Sequence, residues 1–216
     1  KGFVVPKADD INYLYEIKKI ILDNKIDVIL PTGNLEIEHF EPLSKITTVF
    51  MSDSKTIKLC NDKWKFYNKV KDDFDIPHTW QYNDIGWKWC FARPRYELGG
   101  SRGTFYCKDI HQYMFTHNSD VEYIYSDYLP GQEYTIDVLC DMESNPLVVI
   151  PRKRLQTKAG ISSKGEIIKD KFIEKSCSDM CKFLNLKGPV CLQMKEDVDG
   201  VPRFIEVNPR FGGSTF

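Results

Sequence analysis

Near the end of the 216-residue chain, the stretch "FIEVNPRFGG" (Phe204 to Gly213) sets a carboxylate, Glu206, and a carboxamide, Asn208, two residues apart in an otherwise apolar run. Side chains alternate across a strand, so the two share a face. The longer segment "CLQMKEDVDGVPRFIEVNPR" holds Asp199-Gly200, a preferred two-residue type I′ hairpin loop. With that loop, Gln193 lies opposite Glu206 and Cys191 opposite Asn208, and Gln193, Glu206 and Asn208 converge on one face. Val190, Leu192, Met194, Ile205 and Val207 then form the apolar face. Three oxygen donors carrying a single negative charge suit a hard cation such as Mg²⁺, which takes one or two carboxylates and fills its remaining positions with water and phosphate oxygens. The same residues also suit a hairpin with one solvated face, and a bulge near the turn would shift the pairing.

Further upstream, "FARPRYELGGSRGTF" places Arg93 at the end of an apolar strand, followed by Gly99, Gly100, Ser101, Arg102 and Gly103. Glycines let backbone N–H groups approach phosphate oxygens, and a basic residue at the strand end supplies charge; a plain hairpin reads the same way. The chain has no P-loop, no dinucleotide-binding glycine fingerprint and no protein-kinase motif set. In "YIYSDYLPGQEYTIDVLCD", alternation puts Glu133, Thr135 and Asp137 on one side of a strand. An acidic side chain beside the "SDYL" backbone can take a ribose hydroxyl pair while that backbone reads an adenine edge. A solvated acidic face is the other reading. "PRKRLQTKAGISSKG" sets Arg152 and Arg154 on one face before a Gly/Ser/Lys segment that reads as a polar loop able to close over an anion.

These residues need elements to hold them. "DDINYLYEIKKIILDNKIDVILP" reads as a helix capped by Asp9 or Asp10, with Ile11, Leu14, Ile17 and Ile21 on one side, followed by a strand buried on both faces. "TTVFM" is expected to be the next strand, giving part of a doubly wound α/β unit that lacks its first strand. One helix is expected over Asn61 to Asp73, and others over Asp109 to Thr116 and Lys171 to Leu184, with short strands between. Strands mixed with helices make this part α+β. The chain begins at Lys1 without an initiator Met and ends at Phe216 inside a motif, as an excerpt of a longer protein would.

Composition is that of an ordinary globular protein, and a net charge of −1 gives no global field to recruit nucleic acid or an anionic membrane. No apolar run approaches the ~20 residues that span a bilayer. Seven scattered cysteines suit reduced thiols in a cytoplasm, with Cys177 and Cys181 as small core residues rather than metal ligands.

In order along the chain, "CNDKW", "RPR…GGSRG", "DYLPGQEYTIDVL", "PRKR…AGISSKG" and "EVNPRFGGS" resemble the motifs of the ATP-grasp superfamily, in particular its carbamoyl-phosphate-synthase-like and carboxylate–amine ligase members. The resemblance implies an α+β ATP-grasp fold, two subdomains gripping a nucleotide, over residues 55–216. Residues 55–125 would form a smaller subdomain with the glycine-rich loop, and 126–216 the metal- and nucleotide-binding subdomain. Residues 1–54 would be a partial Rossmann-like α/β domain preceding it. It implies Lys63, Arg93, Gly99, Gly100 and Ser101 at the phosphates, the backbone of Asp127, Tyr128 and Leu129 at adenine, and Glu133 on the ribose. It implies Gln193, Glu206 and Asn208 on Mg²⁺, or Mn²⁺ in its place, and Arg154, Arg210 and Asn208 at the transferred group. The activity implied is ATP-dependent ligation: a carboxylate activated as an acylphosphate and then attacked by an amine or other nucleophile, with small-molecule partners, no nucleic acid or membrane, and room for a homo-oligomer. Two alternatives stand beside it, a nucleotide-binding module without turnover and a bicarbonate-using enzyme of the carbamoyl phosphate synthase or biotin carboxylase kind.

Overall fold

The computed structural model describes residues 1–82, 84, 88–96, 102–158 and 161–213. Its main platform is a five-stranded antiparallel sheet in the order β11-β10-β7-β8-β9, built from β7 (Glu133–Cys140), β8 (Pro146–Lys158), β9 (Ile161–Ile167), β10 (Gly188–Glu196) and β11 (Pro202–Asn208). A second antiparallel sheet has the order β3-β6-β4-β5, from β3 (Thr79–Trp80), β4 (Cys90–Pro94), β5 (Phe105–Cys107) and β6 (Tyr123–Ser126).

One face of the large sheet is closed by α6 (Lys171–Phe183). Asp170 caps this helix through the N–H groups of Phe172 and Ile173. Ile173, Cys177, Met180 and Cys181 recur at helical spacing, and all are fully buried against Ile136, Leu192 and Met194. Cys177 and Cys181 are therefore core residues, and all seven cysteines are free and buried. Among the described residues, no group of three His, Cys, Asp or Glu side chains is arranged to hold a metal.

The helix expected over Asn61 to Asp73 is α4 (Lys63–Val70), and a helix that was not expected, α3 (Ser54–Asn61), precedes it. Asp62 breaks them apart: its backbone is extended, and its carboxylate caps α4 through Trp64 N and Lys65 N. Although α4 lies within residues 55–125, its Phe66, Tyr67 and Val70 belong to the core of the five-stranded sheet. The four-stranded sheet has a core of its own, Trp80, Cys90, Ala92, Cys107, Tyr113 and Tyr125, under α5 (Ile110–His117).

At the amino terminus, α1 (Tyr13–Asn24) starts after Asn12, so Asp10 sits ahead of the cap and Ile11 is 94% exposed rather than on the buried face. β1 (Val28–Ile29) and β2 (Thr48–Val49) pair in parallel, and α2 (Asn34–Ile37) follows β1. The strand expected to be buried on both faces is half exposed at Val28 and Leu30. This parallel pair is the extent of the expected α/β unit's sheet among the described residues. A further departure concerns the "AGISSKG" segment. Its described part is not a loop but the start of β9, which pairs with β8 as an antiparallel ribbon at the sheet edge. An edge ribbon solvated on both sides can be wholly polar, so its residues read as a loop. Among the described residues, no helix is long and apolar enough to cross a membrane.

Candidate functional site

The β10–β11 hairpin carries the residues with which the sequence reading began. Its turn is not the two-residue loop expected from Asp199-Gly200. Asp197 N–H donates to Val201 O at 3.0 Å, and the Asp197 carboxylate takes the N–H groups of Asp199 and Val201, both at 2.9 Å. This leaves a three-residue loop with Gly200 in the left-handed region at φ +77°. Beyond the loop, Glu196 pairs with Pro202, Lys195 with Arg203 and Met194 with Phe204, one residue off the expected register. A bulge between Gln193 and Met194 then restores it, so Gln193 faces Glu206 and Cys191 faces Asn208 as expected. The two departures cancel at the site but not beyond it. Phe204, not Ile205, enters the core (1% exposed), and Ile205 turns to the cleft.

Between the two sheets lies a cleft of about 470 Å³. From the five-stranded sheet, Glu133, Arg154, Gln193, Glu206 and Asn208 line it, with Arg210 just past β11. Arg93 enters from the four-stranded sheet, Lys63 from the start of α4, and Asp127, Tyr128 and Leu129 from the connection between the sheets. Each described residue expected at the site therefore borders this one cleft, while Gly99, Gly100 and Ser101 lie outside the described residues.

Arg93 is 6% exposed. Its Nη1 donates to the carbonyl oxygen of Ile205, the residue at the bulge, at 2.6 Å. Its Nε is buried with no hydrogen-bond partner among the described residues. Burial pulls the guanidinium pKa down, and the Glu206 charge partly offsets this. A buried cation with a donor unspent calls for an anion.

Glu206 Oε1 accepts a hydrogen bond from Asn208 Nδ2 at 2.6 Å, a bond that leaves the Asn208 amide oxygen unused. Arg154 forms an ion pair with Glu133, and the same Nη1 lies 3.5 Å from Gln193 Oε1. The register that pairs Thr135 with Arg152 brings Glu133 and Arg154 side by side. The carboxylate expected at a ribose and the arginine expected at the transferred group are thus partners here. Arg152, opposite Thr135, reaches diagonally to Asp137 at 2.6 Å. Arg210 donates through Nε to Asn34, which ties the start of α2 to a residue of the cleft.

Sequence reasoning missed several contributors. Phe91 and Tyr106 form an aromatic wall with Tyr128, the Tyr106 and Tyr128 rings meeting edge-on at 5.0 Å. Lys88 binds Asp127 at 2.7 Å while lying 4.3 Å over Trp80. Asp62, Arg95 and Glu122 form a network behind Lys63, buried at Asp62 and open to solvent at Glu122. The "NDK" helix-cap pattern was the one available signal for Asp62.

Residues 119–215 match the model of a family described as ATP-grasp in the biosynthetic pathway with Ter operon. No curated protein matches the chain in sequence. Among solved structures, the chain is similar to the biotin carboxylase domain dimer of Hydrogenobacter thermophilus 2-oxoglutarate carboxylase in complex with MgADP, ADP and bicarbonate. The TM-score is 0.76 at 18% identity, covering 98% of this chain and 54% of that one. The L-amino acid ligase of Bacillus licheniformis gives 0.74 at 16% identity, covering 97% and 56%. The N5-carboxyaminoimidazole synthetase of Staphylococcus aureus, complexed with ADP, gives 0.76 at 14% identity, covering 98% and 60%. The chain thus spans little more than half the length of these proteins, and at such identities the likeness is one of fold. The chain thus has the ATP-grasp fold over nearly all its length, and residues 119–215 match a model of an ATP-grasp family.

Proposed function

We propose that the chain is the nucleotide-binding part of an ATP-dependent ligase that activates a carboxylate as an acylphosphate. The observation that carries the reading is the pairing, across one cleft, of buried Arg93 and its unpartnered Nε with the oxygen-bearing face of Gln193, Glu206 and Asn208. One carboxylate and two amides on paired strands fit Mg²⁺ as long as phosphate oxygens and water complete its shell. Mn²⁺ would be accepted by the same donors. Bound there, the ion would neutralise charge on the phosphate oxygens.

The chain's own residues would do the rest. Lys63, from the start of α4, and Arg93, from the four-stranded sheet, would hold phosphate oxygens. Asp127, Tyr128 and Leu129 would meet the base beside the Phe91–Tyr106–Tyr128 wall, and Glu133 the ribose. Glu133 would have to release Arg154 to do so, freeing a guanidinium for the γ-phosphoryl group, with Arg210 on the far side. A substrate carboxylate oxygen would attack the γ-phosphorus and ADP would leave. An amine nitrogen would then attack the acyl carbon, expelling phosphate. Such chemistry depends on positioning and charge neutralisation, without a protein nucleophile. The solved relatives include both carboxylases and an amino-acid ligase, so a bicarbonate-derived acceptor is the alternative acyl source.

Thermal unfolding with ATP, Mg²⁺ and both, on wild type and Glu206→Ala, tests the site. A stabilisation that requires both ligands and vanishes in Glu206→Ala is expected. Phosphate release over a panel of carboxylates with amines, and with bicarbonate, tests turnover. An ATP shift indifferent to Mg²⁺ and to Glu206 would refute the metal assignment.

A further inference from the structure

The "RPR" stretch contains a second arginine that the cleft does not use. Arg95 follows the last residue of β4 and is absent from the cleft lining. Its guanidinium gives Nε and Nη2 to the two oxygens of Asp62, at 2.7 and 2.6 Å, and Nη1 to Glu122 at 2.6 Å. Asp62 sits between α3 and α4 with its side chain 2% exposed, and its carboxylate also takes Trp64 N, Lys65 N and the Tyr96 hydroxyl. From the other direction, Lys63 N–H donates to Arg95 O at 3.1 Å. Lys63 is thus gripped through its own backbone and through the residue before it, and one arginine makes both holds.

That grip spans the molecule's two main parts. Helix α4 is built into the core of the five-stranded sheet, whereas β4 belongs to the four-stranded sheet. The two cations concerned come from these two parts: Lys63 is one residue after Asp62, and Arg93 is two residues before Arg95. A buried ion pair is a poor source of net stability, and its best-supported use is to fix one arrangement among several. A bidentate fork does this better than a lysine could, because it sets direction as well as distance.

We propose that Arg95 is a positioning residue for nucleotide binding: its pairing with Asp62 fixes the spacing between Lys63 and Arg93 across the cleft. The inference rests on the ATP-binding reading above. It makes Arg95 act through Lys63 rather than by touching ligand.

The test is the dissociation constant for ATP with Mg²⁺, measured calorimetrically on wild type, Arg95→Gln, Arg95→Lys, Lys63→Ala and the Arg95→Gln/Lys63→Ala double variant. Arg95→Gln is expected to bind about 10- to 100-fold more weakly, as misplaced contact groups do, and Arg95→Lys to recover little of this. The double variant should bind no more weakly than Lys63→Ala alone, because the two act as one unit. Lys175→Gln, which loses a pair with Asp179 on the exposed face of α6, should bind as wild type does. Unchanged binding in Arg95→Gln, or losses that add in the double variant, would overturn the proposal. If Arg95→Gln does not fold, Glu122→Gln removes one arm of the network, and unaltered binding there overturns it equally. A folded wild type that binds no ATP would instead refute the nucleotide reading itself.

Discussion

Replacing Arg93 by methionine separates a residue kept for ligand from one kept for the fold. The side chain is 6% exposed and, among the described residues, donates to Ile205 O while its Nε has no partner. Methionine of similar length loses that charge-assisted bond, about 1.5–3 kcal/mol, but also relieves the desolvation of a buried cation, which in other proteins offsets or exceeds such a loss. The free protein should therefore stay within about 1.5 kcal/mol of wild-type stability. Nucleotide binding should respond differently. With ATP at about 100 times the wild-type dissociation constant, the ligand stabilises wild type by roughly 2.7 kcal/mol, or roughly 5–11 °C in Tm for a chain of this size. Losing one guanidinium–phosphate bond, about 2 kcal/mol, weakens binding roughly 30-fold, so the same ATP concentration would give only about 0.9 kcal/mol, or roughly 2–4 °C. Differential scanning fluorimetry with and without Mg²⁺-ATP reads both quantities. An undiminished ATP shift would refute the assignment of Arg93 to the phosphates. A loss above about 3 kcal/mol in the free protein would refute the argument that its burial serves the ligand.

Two further outcomes follow from local chemistry. Burial raises the Asp62 carboxyl, but hydrogen bonds from Arg95, Lys65 N–H and Tyr96 bring it down overall to about 2. Its folded pKa is thus below the unfolded value, and the stability it adds, about 2 kcal/mol, is present above pH ~4 and lost as pH falls toward ~2. Urea titrations should show the stability gap between wild type and Asp62→Asn narrowing over that window; a gap independent of pH would refute the pairing. At Gly200, φ is +77° and an added Cβ would meet open space, so Gly200→Val should cost about 1–3 kcal/mol through backbone strain alone, and Gly200→Asn distinctly less. Equal losses in the two variants would mean that the three-residue loop is wrong.

What could be read from sequence divides by distance along the chain. The spans of α5 and α6, expected over Asp109 to Thr116 and Lys171 to Leu184, and the shared face of Glu206 and Asn208 rest on neighbours within a few residues, and each was legible. The Glu133–Arg154 pair was only half legible. Alternation placed each residue on a face, but their meeting depends on how β7 and β8 register. Nothing local announces that Asp62 and Arg95, 33 residues apart, will share two hydrogen bonds, so the network that holds Lys63 stayed hidden while Lys63 itself did not.

The hairpin makes the sharper case. Asp-Gly is a preferred two-residue loop, yet the Asp197 carboxylate, by collecting Asp199 N, Val201 N and the Arg203 guanidinium, stabilises a longer one. That choice alone would have moved Glu206 and Asn208 out of register with Gln193 and Cys191. The bulge corrects the register, and a bulge leaves one residue outside the regular ladder. Here that residue is Ile205, and its carbonyl is the acceptor that holds Arg93. A hairpin of ideal two-residue geometry would align the same oxygen donors but would place Ile205 in the regular ladder, without the irregularity that presents its carbonyl to Arg93. The irregularity that defeats the simple turn rule is therefore part of how the two walls of the cleft are joined.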